Sequence, residues 1–117
     1  MELNLTTRML DDKAVVDCVG RLVYGAEAAA LGQVVKQLIA QGSKEIILNL
    51  AGVAHLDSGG LGVVAGLHTS ARQAGSHIRL AHPTPRTAKL LHTTNLLTVF
   101  DVSETDTSES ATFNKAS

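Results

Sequence analysis

Apolar and polar residues alternate along residues 2–10, "ELNLTTRML", in the period of a half-buried strand. Asp11 and Asp12 interrupt the alternation as a turn, and "KAVVDCVG" at 13–20 resumes it with β-branched residues, so the pair predicts a hairpin closed by Gly20. Residues 21–25, "RLVYG", then read as a linker. From Ala26 to Gln41 the period changes. Leu31, Val34, Val35, Leu38 and Ile39 recur at helical spacing, and Gly42 stands where a helix C-terminus is expected. The run "KEIILNLAGV" at 44–53 is apolar without alternation, as in a strand covered on both faces. It leads through "DSGG" at 57–60 into a second helix that ends near Ala74, with Gly75 as its stop. "HIRLAH" at 77–82 predicts another strand. A third helix is expected over 84–97, with Thr84 as N-cap and Pro85 at the first helical position, and a last short strand over 98–102.

The order β-β-α-β-α-β-α-β predicts an α/β fold. After the opening hairpin every strand is followed by a helix and another strand, which yields a mixed sheet with parallel central strands and helices packed on it. A chain of 117 residues forms one domain, here 1–103, followed by a polar Ser/Thr-rich tail at 104–117 that has room for one short helix around 108–113. Aromatics are only 3% of the chain, so Leu, Val, Ile and Ala must build the core. A net charge of −1 offers no basic surface for nucleic acid. No apolar stretch is long enough to span a bilayer and no signal peptide opens the chain, so a cytoplasmic protein without membrane insertion is expected. Cys18 stands alone in an apolar run and reads as a small buried hydrophobe.

Candidate chemistry concentrates at "LDSGGLGVVAG", residues 56–66. Asp57 and Ser58 are both competent N-caps for the helix that follows, and an acid there also suits the helix dipole. Capping alone accounts for the two polar residues. It does not account for Gly59, Gly60, Gly62 and Gly66, each of which weakens a helix relative to alanine. At 100° per residue, Gly59, Gly62, Val63, Gly66 and Ser70 fall on one side and Leu61, Val64, His68 and Ala71 on the other. The second set is the expected core face. The first is a strip nearly bare of side chains, which either packs closely within the fold or lets a partner backbone approach. The pattern is neither of the glycine-rich nucleotide fingerprints, and no lysine follows it. "G-x-S-x-G" is absent, so Ser58 lacks the setting of a hydrolase nucleophile, although His55 lies two residues before Asp57. The five histidines and single cysteine show no metal-ligand spacing. No catalytic residue, cofactor or metal is expected.

The stretch from Lys44 to Val102 resembles the STAS domain, and within it the bacterial anti-sigma-factor antagonists. The resemblance is carried by an apolar strand, then "LDSGGLGV" against D-S-S-G-L-G-V, then a helix ending in glycine, then "HPTPRTAKLLHTTNLLTVFDV" at 82–102. "VGRL" at 19–22 matches the turn that follows the second strand. The resemblance implies a mixed sheet with helices largely on one side and a binding function without catalysis. It implies a partner that is an anti-sigma factor and also a serine kinase, which phosphorylates the antagonist at the helix N-terminus and so releases itself. By this resemblance Asp57, Ser58, Gly59, Gly60, Gly62, Val63 and Gly66 form the docking face. The usual acceptor is the second serine of D-S-S-G, and here that position is Gly59, which leaves Ser58 as the local candidate for phosphorylation. The aspartate expected after "GRL" is Val23, and "YGAEAAAL" at 24–31 also departs from the pattern. "DSGG" itself is similar to another branch, the STAS subunits of phospholipid-transport ABC systems, which bind an ATPase through the same helix.

Overall fold

The computed structural model describes residues 3–93 and 101–103, the last three by their backbone. The strands are β1 (Leu3–Leu10), β2 (Lys13–Leu22), β3 (Glu45–Leu56), β4 (His77–Ala81) and β5 (Asp101–Ser103), and the helices α1 (Ala26–Ala40), α2 (Ser58–Gln73) and α3 (Pro85–Thr93). They form one mixed sheet in the order β1-β2-β3-β4-β5. β1 and β2 pair antiparallel, and each later pair is parallel. The predicted element order and fold class therefore hold. The rest of the third helix, the start of the last strand and the tail expected to hold a short helix lie outside the described residues.

Each crossover β2-α1-β3, β3-α2-β4 and β4-α3-β5 moves one strand in the same direction. Right-handed connections then place all three helices on one face. The core agrees. Ala14, Val16, Cys18, Ile46, Leu48, Leu50, Ile78 and Leu80 from the strands meet Leu31, Val35, Leu61, Val64, Ala71 and Leu91 from the helices in one cluster. Alternation sends Val15 and Ile47 to the other face, where they join Ala81 and Leu10 in a smaller cluster. On that face Arg8 pairs with Asp17 at 2.7 Å, and Asn49 Nδ2 donates to Asp17 Oδ1 at 2.7 Å, tying β1, β2 and β3 together. Cys18 is buried as expected, and burial pushes its thiol up to about 12, with the Asp17 charge adding to the shift. At neutral pH it is a protonated core side chain.

Two strands run further than the sequence pattern indicates. β2 continues through Arg21 and Leu22, which the pattern assigns to a linker, and β3 continues past Val53 to Leu56. Gly20 lies at a break in the pairing. It adopts φ 121°, and the β2–β3 register shifts between Gly20 and Arg21, as it also does between Asp17 and Val19. A glycine that looks like the end of a strand is instead an irregularity within it, after which pairing resumes as Arg21↔His55 and Leu22↔Leu56. That resumed pairing matters for function, because it aligns the carboxyl ends of β2 and β3. In open parallel sheets, loops at the carboxyl ends of the strands are where sites form.

Candidate functional site

Leu22 and Leu56 are partners across the sheet, so the residues that follow them emerge side by side. Asp57 takes an extended conformation, φ −103° and ψ 173°, and caps α2. Its Oδ1 accepts the Gly60 N–H at 2.6 Å and also the Tyr24 N–H at 3.2 Å. One carboxylate thus satisfies an orphan donor of the helix and fixes the β2–α1 loop against it. Asp57→Ala removes both bonds. The expected cost is about 1–2 kcal/mol, at the upper end for a lost N-cap, measured by urea denaturation with the slope unchanged; a loss below a few tenths would mean that water replaces the carboxylate.

Asp57 being the cap, Ser58 is the first helical residue. It is exposed. The first turn of α2 contains no acidic side chain, so the positive end of the helix dipole is uncompensated beyond Asp57 itself. The four glycines then divide into two kinds. Gly62 and Gly66 are exposed, and an added Cβ would meet nothing within 4 Å. Val63 is half-buried between them. Gly60 is buried, and its missing Cβ points at the Leu22 carbonyl, so it supports the face from beneath and is not part of its surface. Gly59 is half-buried under Tyr24, whose Cβ would lie 2.6 Å from a Cβ at position 59.

The opposite side of α2 is as the period predicts. Leu61, Val64, Leu67, His68 and Ala71 are buried. His68 meets His77 edge to face, ring centroids 6.2 Å apart. His55 is exposed, and the Asp57 carboxylate near it is committed to two backbone N–H groups. Among the described residues no three His, Cys, Asp or Glu side chains come together as a metal site, and no helix is long and apolar enough to cross a membrane. Tyr24 is the residue at this helix end that the sequence pattern hides. It falls in a segment that reads as a linker, and only its rarity signals it: it is the single tyrosine of the chain.

The geometry of this helix end can be set beside known proteins. The model of the STAS domain matches residues 4–111. Curated sequences give no match. Among solved structures, the chain is similar to an anti-sigma factor antagonist from Mycobacterium paratuberculosis, with 20% identity over 99% of this chain and 96% of that one, at a TM-score of 0.77. The protein TM1081 of Thermotoga maritima is 23% identical over 87% of each chain, at a TM-score of 0.79. The Bacillus cell-fate determinant SpoIIAA in its phosphorylated form is 21% identical over 97% of this chain and all of that one, at 0.66. At these identities the structures attest the fold, while the family model covers most of the sequence: the chain belongs to the STAS domain family.

Proposed function

We propose that this STAS domain is an anti-sigma-factor antagonist, which binds an anti-sigma factor that is also a serine kinase through the N-terminal half of α2. One observation supports the reading above others. Gly62 and Gly66 leave the outer side of α2 bare beside an exposed Ser58, while the inner side is fully packed. A helix gives up stability for each such glycine, and none of the described residues uses the space they leave. A partner backbone brought to that surface does use it. Three of the seven proposed contact residues, Gly62, Val63 and Gly66, lie on that side, with Asp57 and Ser58 at its head; Gly59 and Gly60 shape it from below.

Phosphorylation in this scheme acts at Ser58. A phosphate adds about −1.5 to −2 charge and three strong acceptors. At the first residue of a helix that charge faces free N–H groups and the positive dipole end, so the fold tolerates it. A partner seated on the same residues loses its desolvated contact.

The test mixes the protein with each anti-sigma-factor kinase of its own genome, with ATP and magnesium, and follows complex formation and intact mass. A complex that dissociates as phosphate appears on Ser58 is the expected result. A stable complex with no added mass makes the protein an antagonist without a switch. No complex with any such kinase removes the reading. The "DSGG" sequence at 57–60 favours a second reading, a STAS subunit of a phospholipid-transport ABC system. Recovery of the ABC ATPase subunit in place of a kinase would establish that one.

A further inference from the structure

Position 59, where the family pattern carries a hydroxyl, is closed by more than the choice of glycine. A Cβ built on Gly59 lies 2.6 Å from Tyr24 Cβ, 3.2 Å from its Cγ and 3.3 Å from its Cδ1. The nearest atom is a Cβ, fixed to the backbone, so turning the ring to another rotamer does not clear the space. The loop would have to move, and it is held at both ends. Leu22 pairs with Leu56 on one side, and Ala28 N–H donates to the Val23 carbonyl at 3.2 Å on the other. Between them, Tyr24 N–H is bound by the same Asp57 oxygen that takes Gly60 N–H. That oxygen therefore ties together the two chain segments on either side of the Tyr24–Gly59 contact. The tyrosine nevertheless remains 74% exposed, so its own burial is not what holds it there.

We propose that Tyr24 excludes any side chain from position 59, and with it a phosphorylatable hydroxyl, so that a serine switch in the first turn of α2 can act only through Ser58. The part that concerns a switch rests on the docking function proposed above; the exclusion itself does not. Gly59 and Tyr24 are then one device, and neither can be changed alone without consequence. The departure of "YGAEAAAL" from the family pattern and the loss of the second serine become a single event in place of two. Gly59 is not among the residues with positive φ, so the backbone there would accept serine in the absence of Tyr24.

A double-mutant cycle tests this on the full chain: wild type, Gly59→Ser, Tyr24→Gly, and both together, by thermal unfolding. Tyr24→Gly is used because alanine would keep the offending Cβ. Gly59→Ser alone is expected to lower the melting temperature by roughly 5 °C or more, a shift typical of overpacking in a domain of this size. In the Tyr24→Gly background the same change should leave it unaltered or raise it, because serine is the better helix residue. Tyr24→Phe keeps the contact and should keep the full penalty of Gly59→Ser. Equal effects of Gly59→Ser in both backgrounds would overturn the assignment, since contacting residues must couple and independent ones add. A kinase complex gives the second readout: phosphate on the introduced serine is expected at least about ten-fold faster in the double variant than in Gly59→Ser, where Tyr24 covers the hydroxyl. Equal rates would overturn it too. The thermal cycle needs no partner, so failure to find any kinase complex counts against the docking function alone.

Discussion

Gly60→Ala is expected to destabilise the domain by about 3 kcal/mol, at the upper end for adding one methyl group to a filled site. The methyl would enter the space of the Leu22 carbonyl, with the Leu22 carbonyl carbon at 3.0 Å and Asp57 Oδ1 at 3.2 Å. Two of these are backbone atoms, and the third is a side-chain oxygen pinned by hydrogen bonds. Leu22 is locked in the β2–β3 ladder opposite Leu56, and Asp57 Oδ1 is held by the Gly60 and Tyr24 amides. Relief would require α2 to lift off the end of β2, which breaks the N-cap. The backbone of Gly60 is not in the left-handed region, so the whole effect is steric. Gly62→Ala is the matched control. It lies on the same helix with nothing within 4 Å of the added methyl, and it should stabilise by roughly 0.5–1 kcal/mol through helix propensity. Denaturant titration of the two variants reads opposite signs if the assignment is right. A small loss for Gly60→Ala would mean that the helix start can slide, and with it that the Asp57 cap is not rigid.

That two neighbouring glycines should differ so sharply was only half legible in the sequence. The helical period of α2 separates Leu61, Val64, His68 and Ala71 from Gly62, Val63 and Gly66, and the structure buries the first set and exposes Gly62 and Gly66. Periodicity reports which way a side chain would point relative to the core of its own helix. It says nothing about what lies beyond the helix end. Gly60 faces the terminus of β2, and Gly59 faces a loop, so both contacts depend on how β2 and β3 are aligned. That alignment runs through two register shifts, at Asp17/Val19 and at Gly20/Arg21, and in sequence Gly20 is indistinguishable from a turn. The mixed sheet and its parallel central strands could be read from the order of elements, because each strand–helix–strand crossover joins parallel strands, and the helices on one face were implied by the resemblance to the STAS domain. The strand order β1-β2-β3-β4-β5 was not legible, since the same series of elements fits more than one order. Tyr24 could not be read, since its role comes from a pairing thirty-odd residues away (Leu22 with Leu56) that local pattern does not encode.

Gly62→Arg is expected to weaken binding to the partner proposed above, an anti-sigma-factor kinase, by about 100-fold or more, while leaving the fold intact. The two halves of this expectation have separate physical grounds. On the fold, position 62 is open: no atom lies within 4 Å of a Cβ there, and arginine is a better helix residue than glycine by several tenths of a kcal/mol. Far-ultraviolet circular dichroism and melting temperature should therefore be unchanged or slightly improved. On binding, a bare strip has one advantage, close approach of the partner backbone. A long cationic side chain in its middle prevents that approach and desolvates a charge without a designed acceptor. A 100-fold loss corresponds to about 2.7 kcal/mol, within the range for a central interface position. Gly62→Ala should lose far less, because one methyl displaces the partner only slightly. Gly66→Arg, one turn along the same side, repeats the test at the edge of the strip and should give a smaller loss than position 62 if the contact is centred near Ser58. If both arginine variants bind as tightly as wild type, α2 is not the docking helix, and the glycines must be explained by something other than a partner.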